Sequence, residues 1–108
     1  FIQESAPEDI KIKKTIHHEI DNVSKENAII VSSSSGLLPS EIQSDLSYPE
    51  RFAIGHPFNP VYILPLVEIV GGSKTSTKTI QVLKDFYKST LGGCLIEKAN
   101  SSFLIEKE

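Results

Sequence analysis

Short apolar, β-rich runs alternate with helix-like segments along almost the whole chain, and this alternation limits the fold more than any other feature. The predicted strands cover residues 1–4, 28–31, 52–55, 66–70 and 94–97. The segments between them are typical of helices, except that prolines keep the chain irregular between residues 57 and 65. Strands and helices joined by short connections predict an α/β fold with a mainly parallel sheet.

Three helices are predicted, and the first has the clearest start signal. Ser5 is in position to cap it, Pro7 is tolerated in a first turn, and Glu8 occupies the capping-box position. The other two helices begin at residue 39 and at residue 75 or 76. The predicted apolar face of the first helix consists of Ile12, Ile16, Ile20 and Val23.

The overall composition disfavours several classes of partner. The 108 residues carry a net charge of -3, so neither nucleic acid nor an anionic membrane is expected as a partner. No apolar run approaches the roughly 18 residues that a membrane-spanning helix needs. Cys94 is the only cysteine, which excludes an internal disulfide and indicates a reducing, cytoplasmic setting. The adjacent His17 and His18 point to different sides of a helix, which predicts surface positions and no metal site.

His56 and Glu68 form the most informative pair of chemical groups. His56 follows an apolar predicted strand where that strand gives way to a loop, and Glu68 lies inside the next apolar run. A carboxylate in such a run is costly to bury unless another group pairs with it. A histidine is a suitable partner, and a histidine–carboxylate pair can act as a general base. The pattern alone also allows a structural role for His56.

Three predicted loops follow strands at their carboxyl ends, where ligands bind in open α/β sheets. They span residues 5–8, 32–36 and 55–59 and are rich in polar groups. No G-x-G-x-x-G turn occurs in the sequence. Because that turn holds the pyrophosphate of a dinucleotide, a dinucleotide-binding domain would lack its first βαβ half here.

Four motifs stand out: FIQESAPE over residues 1–8, SSSSGLL over 32–38, HPFNPVYILPLVE over 56–68 and VGG over 70–72. Together they resemble the second half of the NAD-binding domain of the L-3-hydroxyacyl-CoA dehydrogenase family. They are most similar to the branch that contains L-carnitine dehydrogenase and lambda-crystallin. The resemblance implies a partial Rossmann-like, doubly wound domain over residues 1–98. Residues 99–108 would begin the connection to a helical C-terminal domain, so we expect the chain to be a piece of a longer protein.

The resemblance also implies the catalytic residues. His56 corresponds to the family's catalytic histidine, and Glu68 corresponds to the carboxylate paired with it. Ser35 corresponds to a serine near both the substrate and the nicotinamide. His56 would take the proton of a 3-hydroxyl group while Glu68 orients the imidazole.

The cofactor implied by the resemblance is NAD, with Glu8, Lys13, Ser35 and Asn59 as the residues that contact it. Each has a simpler reading from the residues alone. Glu8 could be a helix cap, Lys13 could lie on a solvated face, and Asn59 could serve turn chemistry. The serines of residues 32–35 could form a flexible polar turn.

The resemblance implies an NAD-dependent dehydrogenase that acts on a small-molecule 3-hydroxy substrate, carnitine first and an acyl-CoA as the alternative. A non-enzymatic structural protein on the same fold, similar to lambda-crystallin, is a further alternative. We expect a homodimer. The strand over residues 28–31 is apolar throughout, and without a neighbouring half-sheet it would expose an edge that promotes association.

Overall fold

The computed structural model describes residues 1–57, 67–91 and 94–97. The described strands are β1 (Ile2–Glu4), β2 (Ile30–Ser32), β3 (Phe52–Pro57), β4 (Val67–Gly71) and β5 (Cys94–Glu97). The described α-helices are α1 (Ile10–Val23), α2 (Pro39–Gln43) and α3 (Thr77–Leu91). A 3₁₀ turn over Pro49–Arg51 leads into β3 and was not predicted from the sequence.

The five strands form one sheet in the order β1-β2-β3-β4-β5. Strands β1, β2 and β3 run parallel, β4 is antiparallel to β3, and β5 is parallel to β4. The predicted α/β fold with a mainly parallel sheet is therefore confirmed. The edge predicted at residues 28–31 is wrong, because β2 lies inside the sheet between β1 and β3.

The sheet has an apolar core on each face. Ile30 and Ile54 face one core with Ile42 of α2, and Val31 and Ala53 face the other. This alternation follows from the two-residue period of a strand. Both faces of β2 are buried, as the apolar run over residues 28–31 predicts, and the last residue of the strand, Ser32, is buried as well.

Helix α3 packs against the second core. The Ser76 hydroxyl caps it by accepting a 3.0 Å hydrogen bond from the Thr79 N–H. Leu83 and Tyr87 are buried against the sheet, and burial raises the pKa of Tyr87 to about 12. A Cβ at Gly55 would lie only 2.7 Å from the Tyr87 hydroxyl, so this close approach requires glycine in β3.

Helix α1 begins later than predicted. Its N-cap is Asp9, whose carboxylate accepts hydrogen bonds from the N–H groups of Lys11 and Ile12. The predictions of Ser5 as the cap and Glu8 as the capping-box residue are therefore wrong. The Glu8 carboxylate accepts hydrogen bonds from the loop after β2 instead of from the first turn of the helix.

The buried face of α1 also differs from the predicted one. Its buried residues are Lys13, His17 and Asp21, whereas Val23 is 85% exposed and Ile12 is 42% exposed. The surface position predicted for His17 is wrong, because its side chain is fully buried. Ile20 of the predicted face does pack, partly buried, against the first core, so the inward face of α1 combines buried polar residues with some apolar contact.

None of the described helices is long and apolar enough to cross a membrane. The described residues hold no group of three or more His, Cys, Asp or Glu side chains arranged to bind a metal ion.

Candidate active site

Loop segments meet where the parallel strands end. Glu4, Ser32 and Ile54 are partners in the register of β1, β2 and β3, so the residues that follow them leave the sheet at one edge. The backbone N–H and the hydroxyl of Ser33 both donate to the carbonyl oxygen of Glu4, at 3.0 and 3.2 Å. His56 lies two residues beyond Ile54 at the same edge. The structure thus brings the described parts of all three predicted loops together.

His56 and Glu68 lie directly opposite each other on β3 and β4. Opposed residues of an antiparallel pair place their side chains on one face, with Cβ atoms roughly 5 Å apart. Glu68 is fully buried and His56 is half-buried. The antiparallel register of β3 and β4 therefore places the imidazole-bearing and carboxylate-bearing residues next to each other across the two strands; the predicted pairing of the two groups stays a prediction.

Burial lowers the pKa of His56 below its ordinary value of 6.5. The negative charge of Glu8 acts in the opposite direction but does not outweigh burial. The imidazole is consequently neutral around pH 7, which is the form that can accept a proton.

Glu8 binds the loop that follows β2, residues 33–36, which we call the serine loop. One carboxylate oxygen of Glu8 accepts hydrogen bonds from the Ser34 hydroxyl at 2.8 Å, the Ser35 N–H at 3.0 Å and the Gly36 N–H at 2.7 Å. The Ser34 hydroxyl in turn accepts a hydrogen bond from the N–H of Leu37. The serine run is therefore a hydrogen-bonded structure, and Glu8 fixes the backbone of Ser35.

These hydrogen bonds favour the ionised form of Glu8. Burial by itself would raise the pKa of this carboxyl, but the Gly36 N–H, the Ser34 hydroxyl and the Ser35 N–H outweigh burial, and the positive charge of Lys13 adds to their effect. The net pKa is lowered. The other carboxylate oxygen of Glu8 lies 3.8 Å from the Lys13 ammonium.

Lys13 belongs to a buried polar network behind the serine loop. Its ammonium lies 2.5 Å from the Glu4 carboxylate and donates to the carbonyl oxygen of Ala6 at 3.0 Å. The second Glu4 oxygen lies 2.7 Å from Nε2 of His17. Lys13 is 1% exposed, so a solvated face for this lysine is wrong.

Glu4 is ionised within this network. Burial opposes its ionisation, but hydrogen bonds from His17, Lys13, Ser32 and the Ala6 N–H outweigh burial and lower its pKa to about 2. The charge of Glu4 therefore balances that of Lys13 in the interior, as a buried ion pair requires.

The structure brings together five of the six predicted site residues. His56 and Glu68 form the cross-strand pair, and Glu8, Lys13 and Ser35 lie along the connected serine-loop contacts. Asn59 lies outside the described residues, so its role stays a prediction. Glu4 and His17 were missed, although the polar residues at positions 13, 17 and 21 share the four-residue spacing of one helix face.

The sheet and its polar carboxyl edge define a nucleotide-binding α/β domain that carries a histidine–carboxylate pair, as a dehydrogenase domain does. The sequence profile of the family described as 3-hydroxyacyl-CoA dehydrogenase, NAD binding domain, matches residues 1–97. The chain belongs to this family, in the branch that contains the L-carnitine dehydrogenases.

Individual relatives agree with the family match. L-carnitine dehydrogenase of Pseudomonas putida is 58% identical over 87 residues, which cover 81% of this chain and 27% of that protein. L-carnitine dehydrogenase of Bacillus cereus is 52% identical over 89 residues, which cover 82% of this chain and 27% of that protein. The crystal structure of (S)-3-hydroxybutyryl-CoA dehydrogenase from Ralstonia eutropha superimposes with a TM-score of 0.87 at 30% identity, covering 97% of this chain and 37% of that one. The chain spans about a quarter of the length of the curated relatives it matches.

The described residues suit one end of NAD better than the other. Hydroxyl groups on Ser33 and Ser35 and the carboxylate of Glu8 are suited to the ribose and the carboxamide of the nicotinamide half. The positive end of α1 is already occupied, because the Asp9 carboxylate caps two amides of its first turn. That helix start does not suit a pyrophosphate, which needs free N–H groups. This set of hydroxyl and carboxylate groups therefore fits the nicotinamide end of the cofactor.

Proposed function

We propose that the intact protein is an NAD-dependent dehydrogenase that oxidises the 3-hydroxyl group of L-carnitine, or of a similarly small 3-hydroxy acid, to a 3-keto group. The observation that carries this proposal is the His56–Glu68 pair at the carboxyl edge of the sheet, beside the loop held by Glu8. The reaction class is supported by the family match and the substrate by the names of the relatives.

His56 is the proposed general base. Its neutral imidazole accepts the proton of the 3-hydroxyl group during oxidation and returns it in the reverse reaction. Glu68 orients the ring and stabilises the imidazolium that forms, which is the role of the carboxylate in a catalytic triad. Because Glu68 is fully buried, water does not screen its charge from the imidazole.

Ser35 and Asn59 are the proposed positioning groups for the substrate oxygen and the nicotinamide carboxamide, and Glu8 and Lys13 are the proposed cofactor-side residues. NAD, when bound, supplies the acceptor for the hydride that leaves the carbinol carbon. The protein contributes the geometry of this step, because Glu8 fixes the Ser35 backbone and the sheet fixes His56.

Replacement of the base should have the largest kinetic effect. In the intact protein we expect His56→Ala to lower kcat by at least about 100-fold, with a smaller change in NAD affinity. Glu68→Gln should also lower kcat strongly. In this variant kcat/KM should begin to rise at a lower pH than in the wild type, because loss of the stabilising negative charge lowers the pKa of the imidazolium. Steady-state kinetics from about pH 6 to 9 measure both effects.

The matched control for these variants is His18→Ala, which removes an exposed histidine of α1. Its kinetics should equal those of the wild type. A Glu68→Gln protein with full activity over the whole pH range would make Glu68 a structural residue and remove the pairing from the mechanism.

The substrate is tested by comparing L-carnitine with 3-hydroxybutyryl-CoA in NAD reduction assays. We expect the higher kcat/KM with L-carnitine. Activity confined to the acyl-CoA would reject the carnitine proposal and keep the family. Lack of dehydrogenase activity with either substrate, in a protein that still binds NADH, would favour a structural role similar to that of lambda-crystallin.

We also propose a homodimer in the cytoplasm. The single cysteine supports a reducing compartment. The exposed aromatic pair Phe1 and Phe86, whose ring centroids are 4.5 Å apart, supports a further contact at this end of the molecule. Sedimentation equilibrium of the intact protein and cell fractionation test the two statements separately.

A further inference from the structure

Helix α1 buries Lys13, His17 and Asp21 on the face that it turns toward the sheet, alongside partial apolar packing by Ile10 and Ile20. Lys13 and His17 are 1% and 0% exposed, and Glu4 beneath them is 4% exposed. Burying charged groups costs several kcal/mol for each ion, and well-packed apolar replacements of buried ion pairs are often equally stable or more so. Stability of the helix contact therefore does not account for this network.

The network leads directly to the serine loop. His17 Nε2 lies 2.7 Å from one oxygen of Glu4, and the other oxygen of Glu4 lies 2.5 Å from the Lys13 ammonium. The Lys13 ammonium lies 3.8 Å from Glu8, which holds the N–H groups of Ser35 and Gly36. Four side chains thus connect the interior of the α1 contact to the backbone of the loop beside His56.

Lys13 lies between two carboxylates, and it is closer to Glu4 by 3.8 minus 2.5, or 1.3 Å. Both oxygens of Glu4 have partners: His17 on one side, and Lys13 with the Ala6 N–H on the other. This arrangement holds the ammonium away from Glu8. The Glu8 carboxylate is thereby left to the hydrogen bonds of the serine loop.

We propose that Glu4 and His17 are positioning residues that hold the Lys13 ammonium away from Glu8. Glu8 thereby keeps its hydrogen bonds to the serine loop, and its negative charge continues to act on His56. This inference rests on the proposed function, in which His56 is the base and Ser35 is a positioning group. His17 acts by fixing the orientation of the Glu4 carboxylate. It touches neither substrate nor cofactor.

The network has an electrostatic consequence for His56. Glu68 faces the imidazole from β4, and Glu8 faces it from the segment between β1 and α1. The negative charge of Glu8 raises the pKa of His56 against the effect of burial. An ammonium that moves onto Glu8 would weaken that effect, so the pKa of His56 would fall further.

The test uses Glu4→Gln and His17→Phe in the intact protein. Glu4→Gln keeps the size of the side chain but removes the charge that holds Lys13. His17→Phe keeps an aromatic ring against Phe52, which the wild-type imidazole meets edge-on at 4.9 Å between centroids. Hydrogen exchange of the peptide over residues 33–38 should become at least about threefold faster in both variants, while a peptide over residues 79–88 in α3 should be unchanged.

In the same variants, kcat/KM should begin to rise at a lower pH than in the wild type. The KM for NAD should increase by about three- to tenfold, with little loss of kcat at the pH optimum. His17→Gln, which restores a donor toward Glu4, should recover most of the wild-type behaviour. His18→Ala is the control for loss of a histidine from α1. If Glu4→Gln does not fold, the pair His17→Phe and His17→Gln decides the question.

A double-mutant cycle separates this route from a direct effect of Glu4 on β2. In a Glu8→Gln background, Glu4→Gln should cause no further change in loop exchange or in the pH profile. An undiminished effect of Glu4→Gln in that background overturns the proposal, and so does unchanged loop exchange in both single variants. The exchange experiment needs no substrate. An intact protein that oxidises no 3-hydroxy substrate would therefore refute the proposed function without deciding this inference.

Discussion

Helices α1 and α3 have nearly equal lengths of 14 and 15 residues and cover opposite faces of one sheet, yet they are held in different ways. Helix α3 buries Leu83 and Tyr87 against an apolar face. Helix α1 buries Lys13, His17 and Asp21, and it leaves Val23 in solvent. Apolar spacing agrees with the buried Leu83 and Tyr87 of α3 but misses the three buried polar residues of α1 and includes the exposed Val23.

The difference lies in what each helix covers. Helix α3 packs against apolar side chains of the sheet such as Val31 and Ile69. Helix α1 instead lies beside polar groups on other elements: Glu4 at the end of β1, and Arg51 just before β3. Because a buried charge must find a partner, those groups fix the rotation of α1. Helix α1 is thus oriented mainly by its buried polar partners, and α3 by apolar burial.

Removal of Arg51 should produce the largest loss of stability on the α1 side. Its guanidinium lies 3.0 Å from the Asp21 carboxylate and also donates to the Ser24 hydroxyl at 2.9 Å. Arg51→Ala would leave the Asp21 charge buried without its cation, so we expect a loss of about 3 to 5 kcal/mol in the free energy of unfolding. Denaturant titration of the intact protein measures it.

The control for Arg51→Ala is Lys14→Ala, which breaks a largely solvent-accessible ion pair of 3.2 Å between Lys14 of α1 and Asp45, which follows α2. It should cost less than about 1 kcal/mol. Similar losses for both variants would mean that burial does not distinguish the two ion pairs, and that α1 is not oriented by its buried partners.

Truncation of Leu83 is the corresponding test on the α3 side. Leu83 is fully buried in the apolar core, so Leu83→Ala should cost about 3 kcal/mol through lost transfer energy and the remaining cavity. Leu83→Met keeps the volume and should cost less than about 1.5 kcal/mol. A large loss for Leu83→Met would show that shape, rather than apolar area, holds α3.

Acid should weaken the α1 side through Glu4. Its pKa is 4.5 in the unfolded chain and about 2 in the folded one, so the folded state favours the ionised carboxylate. This stabilisation is present above about pH 4.5 and is lost as the pH falls toward about 2. We expect a contribution on the order of 2 kcal/mol, discounted for coupling to Lys13 and His17.

The measurement is the free energy of unfolding of the wild type and of Glu4→Gln between about pH 2 and 6. The wild type should lose its advantage over Glu4→Gln as the pH falls. Glu41→Gln, an exposed carboxylate of α2, serves as the control. A constant difference across the pH range would show that Glu4 does not titrate with folding.

The sequence predicts most of the fold because strands and α3 follow local rules. The strand predicted over residues 28–31 overlaps the buried β2, and the strand predicted over residues 52–55 lies within β3. The start of α1 could not be predicted, because Ser5, Glu8 and Asp9 are all capable of capping, and the choice depends on where the serine loop binds Glu8. Partners distant in sequence decide such positions, and no local pattern contains them.

The candidate site was predictable to a similar extent. The His56–Glu68 pair follows from a carboxylate in an apolar run, and the family resemblance added Ser35, Glu8 and Lys13. Glu4 was not predicted, because a glutamate at the end of a short strand is equally consistent with a solvated position. Its burial depends on Lys13, nine residues later, and on His17. The sequence predicted a surface position for His17 because it is adjacent to His18.

The smallest expected effect concerns Val23, which periodicity placed in the core and the structure leaves 85% exposed. Val23→Lys should change the free energy of unfolding by no more than about 0.5 kcal/mol. The change should be slightly stabilising, because a cation in the last turn of α1 interacts favourably with the helix dipole. Ile20→Ala, which removes a side chain packed against the core, should cost more, about 1 to 3 kcal/mol. A loss above about 1.5 kcal/mol for Val23→Lys would mean that another part of the intact protein covers Val23 on the outer face of α1.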